Sequence, residues 1–365
     1  MLLNFPTGYT SIINRIENIN PIKYANTRNY ITGEVTYLSP YISRGVISIA
    51  QIAKHVLQQH EAYKIEKFLQ ELAWRLYWQS VWQNKGNVIF TDIKQPQTNV
   101  AHHQMVAAIN NATTGIDAID THINILYKTG YMHNHVRMYV SSLACNIANA
   151  HWLQPAQWMY YHLLDGDIAS NTLSWQWTAG TFSSKKYYCN QENINKYTNS
   201  NQLHTYLDTS YDALQTLPIP TILQAQTNFI ATTILPKTIL PTIEKGLPIL
   251  VYNSYNLDPL WHSTLQANRI LLLEPSHFLQ YPVSEKVLQF IINLSKNIQG
   301  VQIFTGEFTD LQKNFSNQII YKAHPTNTHY TGKAENNDAI LKNLTGYYPS
   351  FFNFWKKCKP YLINQ

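Results

Sequence analysis

A chain of 365 residues with 45% apolar content can bury more than one core, so two domains are expected, and no run reaches the ~20 apolar residues of a membrane span. The net charge of +6 rests on only 13% charged residues, which permits a polyanionic partner without requiring one. Cys145, Cys189 and Cys358 are scattered and form no Cys-x-x-Cys pair, so neither a disulfide framework nor a metal site is indicated.

The first ten residues have no charged segment followed by a long apolar one, so a signal peptide is not expected and a reducing cytoplasm is the expected location. Residues 1–33 read as helical pieces and loops, with Tyr24 and Arg28 one helical turn apart. Thr36-Tyr37-Leu38-Ser39-Pro40 reads as a helix start, with Ser39 at the N-cap and Pro40 first inside. Free N–H groups beside Thr36, Ser39 and Ser43 suit a pyrophosphate; a plain capped helix is the simpler alternative.

Residues 62–82 have helical periodicity through Ile65, Phe68, Leu69, Leu72, Ala73 and Leu76. Glu71, Trp74, Arg75 and Trp78 share a neighbouring face, where Glu71 and Arg75 can pair. Two indoles on a polar face suggest a cleft wall. Residues 84–113 read as loop, and His102-His103 as exposed decoration. A helix over 116–128 precedes Met132-His133-Asn134-His135-Val136-Arg137-Met138, which opens another helix with Val140, Leu143, Ala144, Ile147 and Ala148 inside. Arg137 needs an anionic partner if buried, and Asp165 is the natural one.

The stretch Leu164–Trp177 concentrates two carboxylates around a glycine, the Asn171 amide, and the indoles Trp175 and Trp177. Carboxylates accept from hydroxyls and ring N–H groups, and indoles stack on planar ligands. A helix-ending turn with both indoles in the core is the alternative. Thr178–Tyr188 reads as an exposed loop whose Lys185 and Lys186 suit a phosphate backbone.

Residues 206–246, rich in Pro, read as a surface connector. After it, apolar runs at 248–252, 269–273, 301–304 and 319–321 alternate with a helix over 284–298, which predicts a small parallel α/β sheet. No glycine-rich fingerprint follows its first strand.

Taken together, these motifs resemble the FAD-binding half of the DNA photolyase/cryptochrome family. The resemblance rests on Tyr24-x-x-x-Arg28, Thr36–Tyr41, Phe68–Arg75, Met132–Met138 and Asp165–Trp177, in the family's order. It implies a mainly α FAD-binding helical domain over 1–205 and a connector over 206–246. A smaller α/β domain over 247–365, with a short parallel sheet, is antenna-like. The family's antenna domain normally comes first, and no segment precedes the flavin half in this sequence, so a swapped order is expected. Its second chromophore stays unassigned.

By resemblance, Tyr24, Thr36, Leu38, Ser39 and Phe68 belong to the cofactor site, and Arg75 lies near the phosphates. Asn134, Arg137, Asp165 and Asp167 surround the flavin and adenine rings, and Asn171 faces flavin N5. Glu71, Trp74, Met138 and Trp177 match the pocket for a flipped pyrimidine dimer. Asn134, His135, Lys185 and Lys186 complete the DNA side. Trp175 and Trp152 match the inner members of the electron relay.

Three departures accompany the match. His135 stands where the family has an Arg. No Trp lies between Trp82 and Trp152, so the outer relay position passes to a Tyr or to Trp158. Tyr187–Glu192 replaces a Phe-Arg-Ile-Phe-Asn-Pro run. The resemblance implies light-driven repair of dimers in single- or double-stranded DNA. Blue-light signalling through a partner is the alternative, and loss of both roles a third reading. Retention of Glu71, Trp74, Met138, Asn171 and Trp177 favours repair. Oligomeric state is not readable.

Overall fold

The structure, a computed structural model, describes residues 3–336, 338 and 340–364. In chain order it contains helices α1 (Tyr9–Glu17), α2 (Pro21–Thr27), α3 (Ser39–Ser43), α4 (Ile49–Leu57) and α5 (Glu66–Lys85), strand β1 (Met105–Val106), then α6 (Ala107–Asn110), α7 (Asp117–Thr129) and α8 (Asn134–Ser142). Helices α9 (Leu153–His162), α10 (Ile168–Ala179), α11 (Gln191–Thr198) and α12 (Tyr211–Gln215) follow, then β2 (Gln226–Thr227). The remainder alternates: β3 (Ile249–Tyr252), β4 (Asn268–Leu273), α13 (Pro275–Gln280), α14 (Glu285–Ser295), β5 (Val301–Thr305), α15 (Phe308–Asn314), β6 (Ile319–Ala323), β7 (Lys333–Asn336) and α16 (Phe351–Ile363). The fold is mainly α with a smaller parallel α/β part. Among the described residues no helix is long and apolar enough to cross a membrane.

Contacts divide the chain into two compact units that interleave in sequence. One unit holds the chain's start through Asn4, Asn20–Val35 and Asn84–Ile230; the other holds Phe5–Ile19, Thr36–Gln83 and Ala231–Gln365. This grouping differs from the linear division into domains at 205 and 246, which stands as a proposal.

The first unit is helical. Its core gathers Met132, Val136, Tyr139, Val140, Leu143, Ile147, Trp152, Trp158 and Trp175. Helix α8 runs into a π-turn at Leu143–Ile147, where the Asn146 amide donates to the carbonyls of Thr178 (3.0 Å) and Tyr187 (2.7 Å). These bonds bear on the segment read as an exposed loop. Thr178–Phe182 is buried, and Lys186 donates to the Thr98 carbonyl at 2.8 Å, so only part of that segment faces solvent. The sequence shows small and basic residues there but not the Asn146 side chain that pins them. The connector also contributes, because β2 pairs antiparallel with β1.

The second unit is built on a five-stranded parallel sheet in the order β5-β4-β3-β6-β7. All four residues of β3 are buried, as expected for a strand covered on both faces. Strand β7 carries no apolar signal, being an edge strand of Lys, Ala, Glu and Asn, and it escaped the sequence pattern. Residues 36–83 join this unit through close backbone contact. Leu257 N–H donates to the Arg44 carbonyl at 3.0 Å. Gly45 has φ +65°, and a Cβ there would lie 2.4 Å from the Tyr255 carbonyl oxygen. Only glycine fits both conditions.

Candidate functional site

The turn before α10 is set by capping. Asp167 is the N-cap and its Oδ1 accepts the Ser170 N–H at 2.8 Å. Gly180, at φ +82°, closes the same helix in the left-handed conformation. Two residues before the cap, Asp165 is 7% exposed, and both its oxygens accept from one Arg137 nitrogen, at 3.0 and 2.9 Å. Arg137 Nε also donates to the Met132 carbonyl at 2.8 Å. The pairing expected from sequence is therefore present, and it fixes the guanidinium of α8 against the turn before α10.

Helix α10 sorts its side chains by angle. Asn171 and Trp175 are one turn apart and share a side. Asn171 donates its amide to the Ala156 carbonyl at 2.9 Å, which leaves Oδ1 as its remaining acceptor. Trp175 is 2% exposed, whereas Trp177, on another face, is 37% exposed and lies 5.9 Å from the Tyr187 ring. Trp152 is fully buried and its indole N–H donates to Asp92 Oδ1 at 2.7 Å. Trp158 is also buried, and its N–H donates to the Tyr127 hydroxyl at 3.0 Å.

On α8, Asn134 is exposed and Met138 half-buried. The half-buried His135 ring packs between Tyr139 and Tyr197, at 4.8 and 4.6 Å. Burial lowers the His135 pKa, so it is neutral near pH 7 and makes a poor phosphate cation. Its expected DNA-side role is weakened accordingly. Lys185 is exposed, and Lys186 is committed to Thr98. Tyr24 lies half-buried on α2, where its carbonyl accepts the Arg28 N–H at 3.0 Å.

The remaining predicted residues lie in the second unit. Helix α3 starts one residue earlier than expected. Leu38 is its N-cap, without a side-chain bond, and Ser39 is already inside. Tyr37, at φ 52°, turns the chain before the cap, and Thr36 Oγ1 accepts from Leu38 N at 3.4 Å. Phe68 is a core residue and Arg75 is half-buried. Glu71 pairs with Lys67 at 2.8 Å across one turn of α5. Trp74 has one ring face stacked on Phe351 of α16, with centroids 3.9 Å apart and planes 7° apart. Trp78 is buried beside it. The expected indole wall is thus an aromatic cluster shared with the C-terminal helix, a partner too distant in sequence for periodicity to reveal.

Residues 68–228 match the family model described as the FAD binding domain of DNA photolyase. A deoxyribodipyrimidine photo-lyase of Streptomyces griseus is 28% identical over 43% of this chain and 35% of its own length. One from Alkalihalophilus pseudofirmus is 31% identical over 41% of this chain and 32% of its own. A cryptochrome DASH of Danio rerio is 29% identical over 43% and 32%. A solved cryptochrome from Synechocystis sp. PCC6803 aligns over 61% of this chain and 49% of its own, at 24% identity and a TM-score of 0.48. Residues 68–228 are thus similar to the FAD-binding domain of the DNA photolyase/cryptochrome family. The chain spans about a third of the length of the curated relatives it matches.

The family's cofactor is FAD, and the helical unit fits it. The buried turn offers the carboxylates of Asp165 and Asp167 as acceptors for hydroxyls and ring N–H groups, with a guanidinium fixed beside them. Ser170 Oγ, on the first turn of α10, is buried and has no hydrogen-bond partner among the described residues. Such an orphan suits a polar ligand group. The photolyase-like blocks at 24–28 and 36–41 precede the matched range. Sequence reasoning missed Asp92, because no motif marks a carboxylate that reaches Trp152 from a loop.

Proposed function

We propose that this chain performs light-driven electron-transfer repair of pyrimidine dimers in DNA with reduced FAD. One observation carries the reading. A single capped helix, α10, presents Asn171 and Trp175 on an interior side and Trp177 outward, next to the buried Arg137–Asp165 pair.

When bound, the flavin supplies the electron as a photoexcited reductant. The chain's residues do the rest. Asp165 and Asp167 accept hydrogen bonds from the cofactor, Arg137 tunes the local charge, and Asn171 Oδ1 accepts from a protonated ring nitrogen. By correspondence with the family, Tyr24 and Asn134 of the helical unit are assigned to the cofactor, and Met138 and Trp177 to the flipped dimer. In the second unit the same correspondence assigns Thr36, Leu38, Ser39, Phe68 and Arg75 to the cofactor, and Glu71 and Trp74 to the dimer. Extrusion is least costly at a damaged, poorly paired site, and each base stacked on an indole recovers ~1–3 kcal/mol. Glu71 hydrogen-bonds the pyrimidine edge as charge arrives there. Lys185 tracks the phosphate backbone.

A second reading, a blue-light FAD photoreceptor that signals through a partner, is favoured by the Phe351 ring stacked on Trp74. The deciding experiment illuminates the FAD-reconstituted, reduced protein with dimer-containing single- and double-stranded DNA and measures restored thymines. Repair that falls with Trp177→Ala and with added salt supports the enzyme. A fully reduced, illuminated protein that restores no thymine removes the enzyme reading.

A further inference from the structure

Asp92 lies in the loop between α5 and β1, in the helical unit. Its Oδ1 accepts the Trp152 indole N–H at 2.7 Å, and its Oδ2 accepts the Gln97 backbone N–H at 2.8 Å. Gln97 also fixes the indole's own backbone: its Oε1 accepts the Trp152 N–H at 3.0 Å. Trp152 is fully buried, whereas the Asp92 side chain keeps 22% of its surface and His151, 3.6 Å away, keeps 17%. The exposed His103 stacks on His151 with centroids 4.7 Å apart. A buried N–H thus leads through a carboxylate to solvent. Trp158 differs, because its N–H meets the neutral hydroxyl of Tyr127.

We propose that Asp92 is the proton acceptor for Trp152 when that indole is oxidised. The inference rests on the relay reading of Trp175 and Trp152. Oxidised FAD, when bound, would supply the photo-oxidant; Trp175 would then lose one electron, and Trp152 would refill Trp175 with one of its own. Loss of an electron turns the indole N–H from a very weak acid into one of about carboxylic-acid strength. The Nε1–H bond then breaks, the electron pair stays on nitrogen, and the proton passes to Oδ1. The products are a neutral indolyl radical and a carboxylic acid. Water or His151 removes the proton from Asp92, and an external thiol later returns an electron and a proton to Trp152. The short charge-assisted hydrogen bond provides the geometry such a transfer needs. Separating the proton from the hole slows return of the electron, which makes Trp152 a workable terminus without an outer Trp.

Flash absorption on the full chain with FAD distinguishes protonated from deprotonated indole radicals. The wild type should form the deprotonated radical, more slowly in heavy water, and Asp92→Glu should keep this behaviour. Asp92→Asn should leave the radical protonated and shorten its life by roughly a hundredfold, at the low end of what general-base transfer contributes. In the dark, the NMR resonance of the isotope-labelled Trp152 N–H should move in Asp92→Asn, a readout that needs no flavin. A folded Asp92→Asn with wild-type radical and lifetime overturns the proposal. So does a wild type without a heavy-water effect, which decides the matter if Asp92→Asn fails to fold. Photoreduction unchanged by Trp152→Phe would instead sink the relay reading itself. Photoreduction lost in Trp152→Phe but normal in Asp92→Asn would sink only the role of Asp92.

Discussion

Each unit buries a carboxylate at a turn before a helix, and the two are held in opposite ways. Asp165, in the helical unit, answers a full charge: Arg137 donates to both its oxygens. Glu274, at the end of β4, answers a set of separate donors. Its Oε1 accepts from the Phe308 N–H at 3.0 Å and faces His329 Nε2 at 2.9 Å, while Oε2 accepts the Tyr330 hydroxyl at 2.7 Å. The first site is organised by charge and the second by acceptor geometry. A charged pair can tune a ligand's electronics; a satisfied acceptor mainly locks loops at the end of a sheet.

The largest effect should come from breaking the charged site. Arg137→Ala leaves Asp165 buried without its cation, at a cost of about 3–5 kcal/mol in chemical denaturation, and FAD retention should fall with it. Asp165→Asn should come close to this, because it leaves the Arg137 guanidinium, 20% exposed, without an anion. Glu274→Gln should be far milder, within about 1.5 kcal/mol, since a Gln carbonyl still serves Phe308 and the Tyr330 hydroxyl can accept from the new amide. Equal losses for Asp165→Asn and Glu274→Gln would erase the distinction.

Acid should separate the units more gently. Burial, aided by the charges of His135, His122 and Arg137, lowers His133 from its ordinary value to about 4. The unfolded chain therefore takes up a proton that the folded helical unit refuses. The stability contributed is present above pH ~6.5 and drains as pH falls toward 4. In the second unit, burial pushes Glu335 up, but hydrogen bonds from Trp261, His262 and Lys333 outweigh it and hold it at about 2. That contribution persists above pH ~4.3 and is lost between there and 2. Denaturation followed against pH should show His133→Gln flattening the upper window and Glu335→Gln the lower one. Exchange of the two windows would contradict the assignment.

Much of both units was legible because the signals are local. The apolar spacing of α5 and α8 and the run of apolar strands each fall within a few residues. Even the Arg137–Asp165 pair was readable, since a lone Arg at the edge of an apolar helix demands an anion and few were on offer. The same reasoning placed Ser39 at a cap that belongs to Leu38, because a left-handed Tyr37 leaves no trace in composition. It read Thr178–Tyr188 as solvated because the Asn146 amide that holds it sits on another helix.

The amino-acid order alone marked the helices at 62–82, 116–128 and 284–298, the one that opens near Asn134, four of the buried parallel strands, and which family motifs line up and in what order. Periodicity and capping act over one or two turns, and that range is written in the chain. Folding decided that Phe351 would cover Trp74, that Lys186 would be tied to Thr98, and that Asp92 would reach the Trp152 indole. Those pairings join residues tens to hundreds of positions apart, where only the packed shape determines which polar atom meets which.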